Sequence, residues 1–157
     1  MITEIKQKND PILRRTAAPV ADTLPSARVN KIIDLMRRAL AAQADGVALA
    51  APQIGVSEQI FIVKNDAGSK KLLVFINPRL VKRSRRQAEM VEGCLSVRGI
   101  YGHIKRREKV TVAALDENGR RFTLHTSGLL AQIVQHEFDH LRGVLFTDHA
   151  YDLTEVK

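Results

Sequence analysis

The sequence predicts an α+β fold: antiparallel or mixed β-sheets around a central helix near the C-terminus that carries a His-Glu-x-x-His segment, with a second helix near the N-terminus. Three observations predict it. Apolar residues recur at helical spacing in two stretches, one early and one late in the chain. Between them the period shortens to that of β-strands. Helix, several strands and helix then follow one another in blocks rather than alternating, which is the α+β order.

Asp10-Pro11 and Ala18-Pro19 break the first twenty residues into extended or turn segments, because the residue before proline avoids the helical region. The first helix is expected to open at Pro25. Val29, Ile32, Ile33, Met36 and Leu40 line one face of it, and Gly46 ends the stretch. Gln59–Val63 and Lys71–Ile76 read as short strands, the second stopped by Asn77-Pro78. Val110–Leu115 and Arg120–His125 flank Asp116-Glu117-Asn118-Gly119 and read as a hairpin. A second helix is expected from a cap at Thr126 or Ser127 to Gly143 just past its end.

Composition bounds the rest. The 157 residues suit one domain spanning 1–157, with 45% hydrophobic and 27% charged residues as in soluble globular proteins. No apolar run approaches the ~20 residues that span a bilayer, so no membrane partner is expected. Met1–Lys6 lacks the layout of a secretory signal, and the single cysteine, Cys94, permits no internal disulfide; both suggest a reducing cytoplasm. The net charge is +8, partly gathered in Lys82-Arg83-Ser84-Arg85-Arg86 and Lys105-Arg106-Arg107-Glu108-Lys109. These read as solvated loops. Without interleaved aromatic residues they supply no base-stacking platforms, so sequence-specific nucleic-acid binding is not expected, and weak attraction to an RNA-rich surface is what is left.

The chemistry lies in the second helix. His136 and His140 stand four apart, so both imidazoles project from one face with Cβ atoms ~5–6 Å apart and converge on one ion. Glu137 projects beside them, within reach of a metal-bound water. Leu129 and Ile133 share the face, which points the histidines inward. A catalytic site with three protein ligands needs one more donor. In a metzincin protease the third histidine would fall at Phe146; His149 is out of register, and Glu155 is the only downstream glutamate for a thermolysin-type site. The zinc-peptidase reading fails there. Cys94, in Glu92-Gly93-Cys94-Leu95-Ser96, supplies the missing donor as an anionic thiolate, suited to Fe(II) and Zn(II) alike, while Gly93 leaves room beside the backbone.

Glu92–Ser96 followed by Gln135-His136-Glu137-x-x-His140-Leu141 resembles the peptide deformylase family. Gly46-Val47-Ala48-Leu49-Ala50-Ala51-Pro52-Gln53 matches its third motif, in family order, and Asp10-Pro11-Ile12-Leu13-Arg14 is similar to its opening. The resemblance implies an enzyme that removes the N-terminal formyl group from formyl-methionine of nascent polypeptides. It implies one divalent ion on Cys94, His136 and His140, natively Fe(II) and replaceable by nickel, cobalt or zinc, whose bound water becomes hydroxide near neutral pH. Glu137 would be general base and then general acid, with the Gln53 amide and the Leu95 N–H as oxyanion hole. The nascent chain would add as a strand along Val47-Ala48 and Gly93, its methionine entering a pocket of Val47, Leu129 and Ile133. Transient ribosome contact follows, with a bacterial cytoplasm as the default and a phage or organelle source not excluded.

The family pattern is not complete. Ala48 stands where relatives carry glycine, and Val97-Arg98-Gly99 replaces x-Pro-Gly, which puts efficiency and sequence preference in question. The alternative readings are thus a non-catalytic or altered-specificity metal-binding relative, and, less favoured, a zinc peptidase.

Overall fold

The computed structural model describes residues 3–65 and 71–156; Met1 and Ile2 of the N-terminal reading lie outside them. Two helices, α1 (Ala27–Ala41) and α2 (Gly128–Leu141), accompany eight strands: β1 (Ala48–Ala50), β2 (Ile60–Lys64), β3 (Leu72–Arg83), β4 (Gln87–Cys94), β5 (Val97–Arg107), β6 (Lys109–Leu115), β7 (Arg121–Ser127) and β8 (Tyr151–Glu155). They form a five-stranded sheet in the order β1-β2-β3-β6-β7 and a three-stranded sheet in the order β4-β5-β8. Every strand pairing is antiparallel.

A helix covers each face of the larger sheet, and β2 shows why its sequence is apolar without alternation. Ile60 and Ile62 pack with Val29, Ile33, Met36 and Leu40 of α1. Phe61 and Val63 point the other way, toward Ala131 and Val134 of α2. A strand buried on both faces needs no polar side. Phe61 stacks on Phe75 of β3 with ring centroids 4.5 Å apart. A smaller cluster of Leu13, Val97, Ile104, Leu145 and Phe146 joins the second sheet to the turn after α2.

The helix limits differ from the sequence reading. Ser26, not Pro25, starts α1: its hydroxyl accepts a hydrogen bond from the Val29 N–H, the cap that the first turn requires. The helix ends at Ala41, and residues between it and Gly46 form turns. Gly46 is constrained by space, since a Cβ there would lie 2.8 Å from the Leu40 side chain.

Asn77-Pro78 does not stop β3. The strand runs on to Arg83 with a register shift between Ile76 and Arg79. Asn77 takes a left-handed φ of 50°, and its side chain pairs with both backbone groups of Val20. The bulge absorbs the N–H that proline lacks, a standard use of such irregularities. Of the basic segments, Lys82–Arg86 is the exposed end of β3 with the connection to β4, as a solvated loop would be, whereas Lys105–Lys109 is the end of β5 and the start of β6, and its Arg106 is buried. The β4–β5 hairpin escapes the period test because Gly93, Gly99 and Gly102 and its charged residues obscure the alternation. Glu155 belongs to β8.

Candidate metal centre and cleft

Helix α2 carries His136 and His140 one turn apart, both buried. Strand β4 ends at Cys94, and a register shift between Glu92 and Cys94 accompanies the turn into β5. The thiol thereby meets the two rings. Cys94 Sγ lies 3.4 Å from His140 Nε2, which lies 3.2 Å from His136 Nε2. All three donor atoms fall within 4.8 Å of one another. Three lone-pair donors converging at this spacing have too few protons to satisfy one another. One soft thiolate and two imidazoles could hold a divalent ion.

The charges around the donors point the same way. His136 Nδ1 donates to Glu92 Oε1 at 2.5 Å, so its Nε2 lone pair faces the donors. Glu92 also receives Arg106 through Nε at 3.1 Å and Nη2 at 2.5 Å, and Gln132 Nε2 at 3.2 Å. Burial alone would raise the Glu92 carboxyl, yet the hydrogen bonds from His136 and Arg106 hold it down to about 2. Burial lowers His136, but Cys94, Glu92 and Glu137 together lift it well above its usual value. His140 goes the opposite way, driven down by burial and by the neighbouring charge of His136. Two imidazoles 3.2 Å apart do not both ionise.

Glu137 is buried, with Oε1 4.0 Å from His136 Nε2, and its Oε2 has no hydrogen-bond partner among the described residues. Burial pushes its carboxyl up to about 7, against the lowering effect of His136. It lines a cavity of about 310 Å³, as do Val47, Ala48, Gly93, Leu95, Leu129 and Ile133. The cavity also reaches Cys94, His136 and Gln53, so the expected site residues are brought to one place. Gln53 Oε1 accepts the Ala50 N–H at 2.9 Å, which fixes the amide plane. Its Nε2 then donates to Ser96 Oγ at 3.0 Å and lies 3.8 Å from Cys94 Sγ. Thus Gln53 caps a loop and also presents its amide nitrogen to the donors.

Two expectations need correction. Leu129 does not face the interior: it is 66% exposed, so the apolar end of that helix face fronts the cleft. The space beside Gly93 is not open, because a Cβ there would lie 2.7 Å from the Tyr101 ring; the glycine lets Tyr101 of β5 lie flat across β4. Ala48 has no positive φ, pairs in register with Val63 and lines the cleft. Arg98 stands at the mouth and donates to Gln43 Oε1 at 2.9 Å.

Residues missed from the sequence are the supports. Arg106 Nη1 donates to Asp139 Oδ2 at 2.7 Å, and Arg142 holds Asp139 Oδ1 at 2.7 Å. Gln135 clamps the backbone of Arg107, accepting its N–H at 2.9 Å and donating to its carbonyl at 2.8 Å. Glu92 was legible in principle, being two residues before Cys94 on a strand and hence on the same face. Arg106 left no such trace inside a basic run.

The profile of the family described as Polypeptide deformylase matches residues 2–156. Peptide deformylase 2 of Clostridium acetobutylicum is 41% identical over 147 residues, covering 94% of this chain and 94% of the relative. The crystal structure of peptide deformylase from Thermotoga maritima superposes with a TM-score of 0.87 at 34% identity, over 96% of this chain and 98% of the other. That of Synechococcus elongatus peptide deformylase, solved in complex with actinonin, gives 0.88 at 36% identity over 96% and 79%.

Proposed function

The chain belongs to the polypeptide deformylase family, a family of metalloenzymes, and we propose that it removes the N-terminal formyl group from formyl-methionine of nascent polypeptides with the residues gathered around Cys94. The observation that carries this is the convergence of Cys94 Sγ, His136 Nε2 and His140 Nε2 beside the buried Glu137 carboxyl, at the wall of a cleft.

Those three atoms would hold one divalent ion, Fe(II) in our reading with nickel, cobalt or zinc as replacements, which supplies a water made acidic enough to ionise near neutral pH. Glu137 accepts the proton from that water and later returns it to the departing amine. Its burial keeps the carboxylate unsolvated and its proton affinity high, the property both tasks need. The Gln53 amide and the Leu95 N–H receive the oxyanion that forms on the formyl group. Arg106 and Glu92 fix the His136 ring, and so the direction of its Nε2.

The topology supports a placement for the substrate. β1 and β4 are edge strands of different sheets, and both line the cleft. An extended chain laid between these two edges would run along Val47-Ala48 on one side and Gly93 on the other. Its methionine packs on Val47, Leu129 and Ile133, and the exposed Leu129 loses water in the process. Burying a side chain of that size contributes ~1.5–3 kcal/mol. We place the reaction in the cytoplasm, with transient ribosome contact where formylated chains emerge. The lone thiol and the net charge of +8 support that reading.

The test is anaerobic purification, metal quantification, and amine release from formyl-Met-Ala-Ser, with Glu137→Ala beside the wild type. We expect about one metal per chain in both proteins and turnover in the wild type alone. Metal without wild-type turnover would turn the reading toward an altered specificity set by Ala48 and Arg98. Absence of metal binding would remove the three-ligand site.

A further inference from the structure

A second cavity, of about 140 Å³, lies behind the metal centre and shares no lining residue with the cleft. Arg83, Lys105, Arg106, Arg107 and Arg142 line it, with the Asp139 carboxylate among them and Gln87 and Gln135 among the neutral groups. It is the centre of a basic face that folding assembles from both charged segments of the sequence. Ser84 N–H donates to the Lys109 carbonyl at 2.9 Å, Glu108 N–H to the Arg86 carbonyl at 3.0 Å, and Arg107 Nη1 to the carbonyls of Ser84 and Arg85. Gln135 ties Arg107 to α2. The cations are thus held on locked strand ends, and little ordering remains to be done when a ligand arrives.

The negative charge on this face is already committed. Asp139 is held by Arg106 and Arg142, and Glu108 lies 3.8 Å from Arg86. Arg83 and Lys105 have no acidic partner among the described residues. The deformylation reading uses none of these cations except Arg106, which is turned toward Glu92. We propose that the cavity is a phosphate site that seats the phosphodiester backbone of a nucleic acid. Its chemistry is five guanidinium or ammonium groups against one carboxylate, Asp139, around a recess large enough for an oxyanion, without an aromatic side chain in its lining. Bases are therefore not stacked, and recognition is by backbone charge, independent of sequence. An anionic membrane is the poorer fit, because among the described residues the basic segments expose no large apolar side chain, with Val81 just before the first of them, and stable interfacial binding needs an apolar face.

Fluorescence anisotropy of labelled RNA and DNA duplexes of unrelated sequence tests this. We expect binding to all of them, weakening about 10²-fold between about 50 and 200 mM salt if four phosphates are neutralised. Arg83→Glu with Lys105→Glu is expected to weaken binding at least about tenfold, with thermal unfolding and turnover of formyl-Met-Ala-Ser unchanged. Lys31→Glu with Arg121→Glu makes the same charge change on α1 and at the far end of the β6–β7 hairpin, and is expected to keep most of the affinity. Equal loss in both double variants would reduce the site to net charge. Absence of duplex binding, or binding only to phosphatidylserine vesicles or to inorganic phosphate, would overturn the proposal.

Discussion

Glu92 is the residue through which the protein sets the His136 ring. Its carboxylate is buried, and an isolated carboxylate there would cost several kcal/mol. The Arg106 fork and the His136 Nδ1–H offset that cost, and in doing so fix which imidazole nitrogen faces the donors. The consequence is measurable without any turnover. Glu92→Gln preserves shape but loses the charge that steadies the ring, so metal affinity should fall about 10–100-fold. Competition with a chelator of known affinity measures it; unchanged affinity would mean that the packing of α2 alone orients His136.

At the scale of elements, α1 is anchored by its first turn as well as by its apolar face. Arg28 reaches Asp22 at 2.7 Å and Glu58 at 2.8 Å, joining the helix start to the segment before it and to the approach to β2. Hydrogen bonds from Arg28, and then from Ser26, lower the Asp22 carboxyl to about 2. A carboxyl with a depressed folded-state pKa favours folding in its ionised form. Its contribution is complete above the ordinary carboxylate value of ~4 and is lost as pH falls through about 2. Arg28→Ala should therefore flatten the loss of thermal stability between about pH 4 and 2; an acid limb as steep as the wild type's would assign the anchor no role there. The late helix is limited by a backbone contact. Gly143 has φ +75°, and a Cβ would lie 2.5 Å from the Arg14 carbonyl oxygen. Gly143→Ala should thus destabilise by more than the ~1–2 kcal/mol of a left-handed residue alone, as read from urea midpoints.

For the whole molecule, the proposed metal donors come from both structural layers: Cys94 from the smaller sheet, the histidines from the helix packed on the larger one. An ion held by all three therefore ties the layers together. Removing it should lower thermal stability, and restoring it at a hundredfold excess over Kd should return ~2.7 kcal/mol. A melting temperature indifferent to chelator would show that the donors are preformed without it.

Much of this was legible in the chain, for identifiable reasons. The helical stripe of α1, the hairpin at Asp116–Gly119 and the His136–His140 pair depend on residues close in sequence, where period and turn chemistry act locally. The motifs around Cys94 and Gln53 were legible as resemblance, although their convergence is tertiary. What the sequence could not reveal rests on long-range pairing. Arg106 looked like one more solvated cation until the β4–β5 hairpin and α2 closed over it. Asn77-Pro78 looked like a strand end because the Val20 backbone that satisfies Asn77 lies far away in the chain. Local periodicity and donor chemistry are properties of the sequence itself. Which charges are buried, which edges face each other across the cleft, and that two basic segments form one face were decided by packing, because burial is fixed only when distant segments exclude water together.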